Sequence, residues 1–238
     1  MHIETVRAGR GLDWITEGFG LFRKNALIWI VNFIIALAIV TLLSLIPIVG
    51  SIATMLLQPV LLGGLLLGCE SLRKGEELRI EHLFDGFRQN TKPLLMVGLY
   101  SGLAYMAVAL VAALIVGGGA ISVGILGEVS DSPDLASGAA VVGTLLVVLV
   151  SALMALPIAM ATWFAPSLVL FSGLAPLEAL KASFFACLRN WLPFLVYGLI
   201  MMVLAVIAII PAGLGLLVLG PTGIGSVYVG YRDIFGET

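Results

Sequence analysis

Two of the long stretches without charge in this chain are the 45 residues between Lys24 and Glu70 and the 42 between Arg189 and Arg232. A bilayer core needs about 20 apolar residues per helix. Each stretch is therefore long enough for two spans, and each has a proline near its middle. Breaking them at Pro47-Ile-Val-Gly50 and at Pro211 predicts spans at 26–46 and 50–69, and at 191–210 and 212–231. The interval from Lys92 to Glu128 brackets a further span at about 93–117, and that from Asp134 to Glu178 one at about 138–165, where Pro157 is expected to introduce a kink. The fold class this predicts is an all-α integral membrane protein with six transmembrane helices.

Composition agrees. Charged residues are 11% of the chain and hydrophobic ones 61%, against about 25% and 45–50% in soluble domains. So few charges cannot cover a soluble 25.0 kDa globule. Intrinsic disorder is excluded by the same numbers. With a net charge of −2 there is no basic field for nucleic acid, so no nucleic-acid partner is expected. The first 25 residues mix Arg7 and Arg10 with Glu4, Asp13 and Glu17, which is not a signal peptide.

The charges also predict orientation. All twelve basic residues (Arg7, Arg10, Arg23, Lys24, Arg73, Lys74, Arg79, Arg88, Lys92, Lys181, Arg189 and Arg232) fall on one side of the six-span arrangement. The other side has two hairpin tips and a loop at 118–137, which holds Glu128, Asp131 and Asp134 and starts with the flexible Gly117-Gly-Gly119. The positive-inside rule then puts both termini in the cytoplasm.

The chain repeats itself. Phe19-Gly-Leu-Phe22-Arg23-Lys-Asn25, Phe84-Asp-Gly-Phe87-Arg88-Gln-Asn90 and Phe185-Ala-Cys-Leu188-Arg189-Asn190 each precede a span. Pro59 is followed nine residues later by Gly68, Pro221 by Gly230, and Pro157 by Pro166. Each unit begins with apolar residues at steps of 3 and 4: Leu12, Ile15, Phe19 and Phe22; Ile80, Leu83, Phe84 and Phe87; Leu177, Leu180, Phe184 and Leu188. These segments are too short and too charged to span, so they are expected to lie in the cytoplasmic interface. The expected plan is a single membrane domain, residues 1–238, of three interfacial-helix-plus-hairpin repeats at about 10–72, 76–172 and 174–234.

The Arg-Asn corner has a physical logic. An arginine at the end of an interfacial helix meets phosphate oxygens and complements the negative helix C-terminus. The asparagine can cap either helix. Anchoring and orienting is the simpler role. The sharper one is a lipid-headgroup interface at Arg23, Asn25, Arg88, Asn90, Arg189 and Asn190.

The chain resembles a family of proteobacterial six-span inner-membrane proteins whose activity is not characterised. The resemblance is carried by Val6-Arg-Ala-Gly-Arg10-Gly11, the Phe84–Asn90 corner, Phe185–Trp191 and Tyr231-Arg-Asp-Ile-Phe-Gly236. It implies a bacterial inner-membrane location. A looser likeness, through Glu178–Ser183, reaches the membrane domains joined to some glycerophosphodiester phosphodiesterases. No such catalytic domain is present here, so the resemblance does not extend to that activity.

No Asp, Glu, Lys, Arg or His lies within the six predicted spans, which argues against a proton-coupled transporter and an aspartyl intramembrane protease. Asn32, Gln58 and Tyr105 are read as intramembrane polar packing, with Asn32 and Gln58 expected to face protein. Cys69, Cys187 and His82 share no metal-ligand spacing, so no metal, cofactor or catalytic residue is assigned. Ser183 and Lys181, two apart on a helix, face different ways. Gly64-x-x-x-Gly68 and Gly98-x-x-x-Gly102 point to close helix packing, within the chain first and with a protein partner or second copy otherwise.

The function expected is a non-enzymatic accessory or scaffold protein engaging membrane lipids or another membrane protein. One alternative is a passive channel or lipid transporter, lined by Asn32, Gln58 and Tyr105. The other is an enzyme at the cytoplasmic face, using Glu70, Glu81, His82 or Asp85.

Overall fold

The charge-free stretches become helical hairpins. In the computed structural model, which describes residues 2–129 and 133–236, the elements are α1 (Arg10–Lys24), α2 (Ala26–Ser44), α3 (Val49–Arg73), a 3-10 segment (Ile80–Phe87), α4 (Thr91–Val129), α5 (Pro133–Trp163), α6 (Ala165–Phe171), α7 (Pro176–Arg189), α8 (Trp191–Ile209) and α9 (Leu216–Phe235). Among the described residues there is no strand. Five stretches are long and apolar enough to cross a membrane: Ala26–Ser44, Val49–Arg73, Thr91–Gly118, Val141–Phe171 and Trp191–Ile209. The sixth predicted span corresponds to α9, whose Pro221, Thr222, Ser226, Tyr228, Tyr231, Arg232 and Asp233 leave it more polar than these five.

The chain forms two compact units. One takes Met1–Tyr100 with Met160–Thr238, the other Ser101–Ala159. The second unit is made of parts of α4 and α5, where Leu103, Leu110, Leu114, Leu145, Leu149 and Leu153 are exposed, as suits helices bathed in lipid.

Both hairpin tips in the first unit use the same device. Gly50 follows Leu43 by seven residues, and a Cβ on it would meet the Leu43 carbonyl oxygen at 1.7 Å. Gly215 follows Ala208 by seven, and a Cβ there would meet the Ala208 Cα at 2.5 Å. Only glycine lets the returning helix start this close. The reversals between them run through Ile48 (φ 62°), and through Ala212 (φ 54°) and Gly213 (φ 80°).

One sequence expectation is corrected here. The loop at 118–137 is mostly helix: α4 continues through Gly117-Gly-Gly119 to Val129, and α5 begins at Pro133. A helical glycine costs only about 1 kcal/mol against alanine, and the flanking Ile, Val and Leu residues carry the helix across. Residues 130–132, with Asp131, lie outside the described residues. Pro157 lies inside α5, which runs on to Trp163, and a helix interruption follows at Phe164, just before Pro166.

That interruption is patched by a serine. The Ser183 hydroxyl, fully buried, donates to the Met160 carbonyl (2.7 Å) and accepts from the Phe164 N–H (2.9 Å), standing between two groups that would otherwise bond each other. Lys181 is exposed while Ser183 is buried, so the two do face different ways.

The amphipathic segments pack in a fixed pattern. α1 packs most extensively on α9 and also on α8, the 3-10 segment packs on α3, and α7 packs on α6. Glycines set these crossings. A Cβ on Gly18 would meet Ser226 N at 2.6 Å and Thr222 O at 2.7 Å, and one on Gly11 would meet Pro193 O at 2.2 Å. One on Gly86 would meet Val60 O at 2.0 Å, and one on Gly64 the His82 and Leu83 carbonyls at 2.4 Å. Gly64-x-x-x-Gly68 thus serves packing within the chain. So does Gly98, which sits against Met55 and Leu56.

Two measurements check this packing. Gly18→Leu is expected to destabilise the protein by about 1–3 kcal/mol or more through overpacking, while Gly198→Leu, on a part of α8 with no heavy atom within 4 Å of the new Cβ, leaves detergent-phase melting nearly unchanged. Ser183→Val, which strips the Phe164 N–H of its acceptor and leaves the Met160 carbonyl only the weak Cys187 thiol donor at 3.5 Å, is expected to cost about 1–3 kcal/mol in the same assay.

Candidate functional site

The charges excluded from the apolar runs gather where α1, α3 and α9 end together. Lys24 ends α1, Arg73 ends α3, and Arg232 lies in the last turn of α9. A cleft of about 360 Å³ opens between these helices, lined by Glu17, Gly20, Leu21 and Lys24 of α1, by Arg73, and by Tyr228, Val229, Arg232 and Asp233 of α9. The α1 residues fall at positions i, i+3, i+4 and i+7, one helix face.

Two polar clusters border the cleft. In the first, Arg10 bonds Asp233, Glu17 (3.0 Å) and Asp13 (3.3 Å), and Asp233 also accepts from the Trp14 indole N–H (2.7 Å). Burial pulls the Arg10 guanidinium down, but the hydrogen bonds and charges of Asp233 and Glu17 outweigh it and hold the group above its ordinary value. In the second cluster, Glu70 accepts from Arg73 (2.7 and 3.1 Å) and from the Tyr228 hydroxyl, and pairs with Lys74 at 3.2 Å. Arg73 and Arg232 both donate to the Tyr228 hydroxyl, at 3.1 and 3.3 Å. Lys24 donates to the Leu72 carbonyl at 2.9 Å.

Behind the clusters lies an aromatic core. Trp14 packs against Phe194 and Tyr197, Phe164 against Phe194 and Phe235, and Phe171 against Tyr228 and Tyr231, with ring centroids 5.3–6.3 Å apart. α1 is therefore seated by its Gly11, Trp14, Ile15, Gly18, Leu21 and Phe22 face. Of the predicted apolar stripe, Ile15 and Phe22 are buried while Leu12 and Phe19 are exposed. The stripe is split because helix contacts claim one side and the solvent-facing side keeps its own apolar residues.

The corner residues play unequal parts. Arg23, Arg88 and Arg189 are all exposed. The carbonyls of Asn25, Asn90 and Asn190 accept the first bond of the following helix, from Trp29, Leu94 and Phe194 (3.0–3.2 Å). Asn190 is buried: its side chain accepts from Val6 N (2.9 Å) and donates to Glu4 O and Ala186 O (3.0 Å each), tying the N-terminal segment down. Asn25 donates to Leu78 O (3.3 Å), and Asn90 is exposed at φ 56°.

Of the intramembrane polar residues, Asn32 is fully buried and donates to the Arg79 carbonyl at 3.2 Å. Gln58 is exposed, against expectation, because α3 turns Val60, Leu61, Gly64 and Gly68 inward and leaves Gln58 on its far side. Tyr105 is 41% exposed. Nor do Glu70, Glu81, His82 and Asp85 converge. His82 Nδ1 accepts from the Arg79 N–H (2.9 Å), with Nε2 3.4 Å from the Ser71 hydroxyl. Glu81 is exposed, and Asp85 pairs with Arg88. Among the described residues no His, Cys, Asp and Glu cluster suits a metal.

In the sequence Lys24, Arg73 and Arg232 mark span limits and orientation, and nothing local gives Trp14, Glu17, Tyr228 and Asp233 a place in a site. The signal that could have found them is the Glu17-Gly20-Leu21-Lys24 face, together with charges closing both long apolar runs.

Asp233→Ala is expected to cost about 2 kcal/mol of stability, since it strips a charged acceptor from both Arg10 and Trp14. Arg7→Ala, at an exposed pair 4.0 Å apart, should cost under about 0.5 kcal/mol. Cys69 and Cys187 are both free and buried, and burial pushes the Cys187 thiol up to about 12. Neither is expected to react with a maleimide in the folded protein, and both should react in SDS.

No protein-family model matches the chain, and no solved structure matches it. A probable inner membrane protein of Burkholderia thailandensis is 31% identical over 258 residues, covering 99% of this chain and 94% of that protein. With this identity over almost its whole length, and with helices long and apolar enough to cross a bilayer, the chain belongs to the family of that inner membrane protein.

Proposed function

We propose that this is a six-span bundle with both termini in the cytoplasm, working without catalysis as an accessory or scaffold protein that engages lipid of the cytoplasmic leaflet. One observation carries the reading. Each of the three amphipathic segments keeps large apolar residues exposed beside an exposed arginine: Leu12 and Phe19 with Arg23, Ile80, Phe84 and Phe87 with Arg88, and Leu177, Phe185 and Leu188 with Arg189. Water gives no reason for such a pattern. An interface does, with rings among the acyl chains and guanidinium at the phosphates.

The packing pattern supports a threefold repeat. The segment opening each repeat docks on the second hairpin helix of the repeat before it: the 3-10 segment on α3, α7 on α6, which continues α5, and α1 on α9, which closes the cycle. The docking sites of the first and third repeats lie at matching places, Val60 and Gly64 after Pro59 and Thr222 and Ser226 after Pro221, while that of the second, Met160 and Phe164, lies two residues further from Pro157.

The test uses the buried native cysteines to advantage, since they leave the background unlabelled. Spin labels on Phe19→Cys, Phe84→Cys and Phe185→Cys in lipid nanodiscs are expected to report headgroup depth at all three sites, with a C-terminal reporter active in the cytoplasm. Labels in bulk water, or a reporter active only outside, would overturn the reading.

A further inference from the structure

The cleft between α1, α3 and α9 is charged with opposite sign at its two ends. At one end the carboxylates of Asp13, Glu17 and Asp233 share Arg10. At the other, Arg73, Lys74 and Arg232 surround Glu70, with Lys24 alongside through Leu72. Glu17 and Lys24 mark the two ends on one face of α1, seven residues or about 10 Å apart. Between them the floor is Gly20 and Leu21, and a Cβ on Gly20 would have no heavy atom within 4 Å.

The geometry points to a site for a zwitterionic phosphoethanolamine headgroup, with its phosphate at Lys24, Arg73 and Arg232 and its ammonium at Glu17 and Asp233. A simple anion fits poorly, because the two lining carboxylates repel it. A choline headgroup fits poorly too, because it has no N–H for carboxylates to accept and Trp14, the ring bonded to Asp233 at the acidic end, is buried and not open as the wall of a cage. The basic end is held in shape before any ligand arrives: the Tyr228 hydroxyl joins Arg73, Arg232 and Glu70. Planar guanidinium groups held this way match phosphate oxygens. The source assigned is membrane lipid rather than a soluble phosphoethanolamine, since exposed Phe19 and Leu12 put the same helix in the interface. That assignment rests on the interfacial reading of α1 proposed above.

The experiment is native mass spectrometry of the full chain released from nanodiscs of equal phosphatidylethanolamine, phosphatidylcholine and phosphatidylglycerol, with soluble phosphoethanolamine added in a separate arm. Retention of phosphatidylethanolamine over phosphatidylcholine by about tenfold is expected, the scale of one charge-assisted hydrogen bond. Glu17→Gln should abolish the preference while sparing phosphatidylglycerol, and Lys24→Gln should weaken retention of all three lipids. Gly20→Leu, which fills the floor at an exposed position, should remove the preference with melting unchanged, so that loss by misfolding is told apart. Equal retention of the three lipids, a preference for phosphatidylglycerol, or a preference untouched by Glu17→Gln and Gly20→Leu would overturn the site. Soluble phosphoethanolamine competing as well as the lipid would overturn the membrane source. The spin-label depth at position 19 separates the two failures: interfacial depth without lipid preference removes the cleft alone, and a label in water removes the interfacial reading beneath it.

Discussion

In a lipid solvent, burying one leucine against another brings little reward, because the tails are as apolar as the side chain. What remains is closeness, and this structure depends on helix backbones meeting where glycine removes the side chain. Gly18 and Gly225 let α1 lie on α9, Gly11 lets it cross α8, and Gly64 and Gly86 let the 3-10 segment press against α3. Once the backbones touch, everything else follows at short range. Trp14 reaches Asp233, Arg10 reaches both Asp233 and Glu17, and the ends of α1, α3 and α9 come together with their charges.

The charged end then organises itself by pairing. Glu70 closes the longest apolar run, yet it is only 13% exposed and would be costly alone. Arg73, Lys74 and the Tyr228 hydroxyl surround it. Asp233 is handled the same way by Arg10 and Trp14. Glu70 takes its cations from the end of α3 and from α9, and Asp233 of α9 takes its donors from α1, so these clusters join elements as well as neutralise charge.

Much of the fold is legible in the sequence because bilayer thickness and charge exclusion leave coarse marks. The runs 25–69 and 190–231 become α2–α3 and α8–α9, and the amphipathic stripes become α1, the 3-10 segment and α7. What escaped depends on distances no periodicity encodes. The far side of α3 for Gln58 follows from which glycines meet the 3-10 segment. The role of Ser183 follows from a helix break 19 residues earlier. Gly117-Gly-Gly119 read as a loop because three glycines outweigh, in a local reading, the apolar residues that carry α4 onward. The cleft was hidden for a different reason: its residues lie in three separate parts of the chain, and each had a sufficient local explanation as a span end.

The seating of α1 has a consequence for how the chain is made. A ribosome produces α1 well before its principal partner, α9. Until α8 and α9 emerge, the face bearing Trp14, Ile15 and Phe22 lacks the helices it packs on most, and the Glu4 N–H waits for the Ile234 carbonyl. An early helix with apolar residues on both sides can rest at the membrane surface meanwhile and be captured when the C-terminal hairpin arrives. Two helices far apart in the chain therefore meet in one joint, and a nascent chain stopped short of α9 is left without the element that closes it.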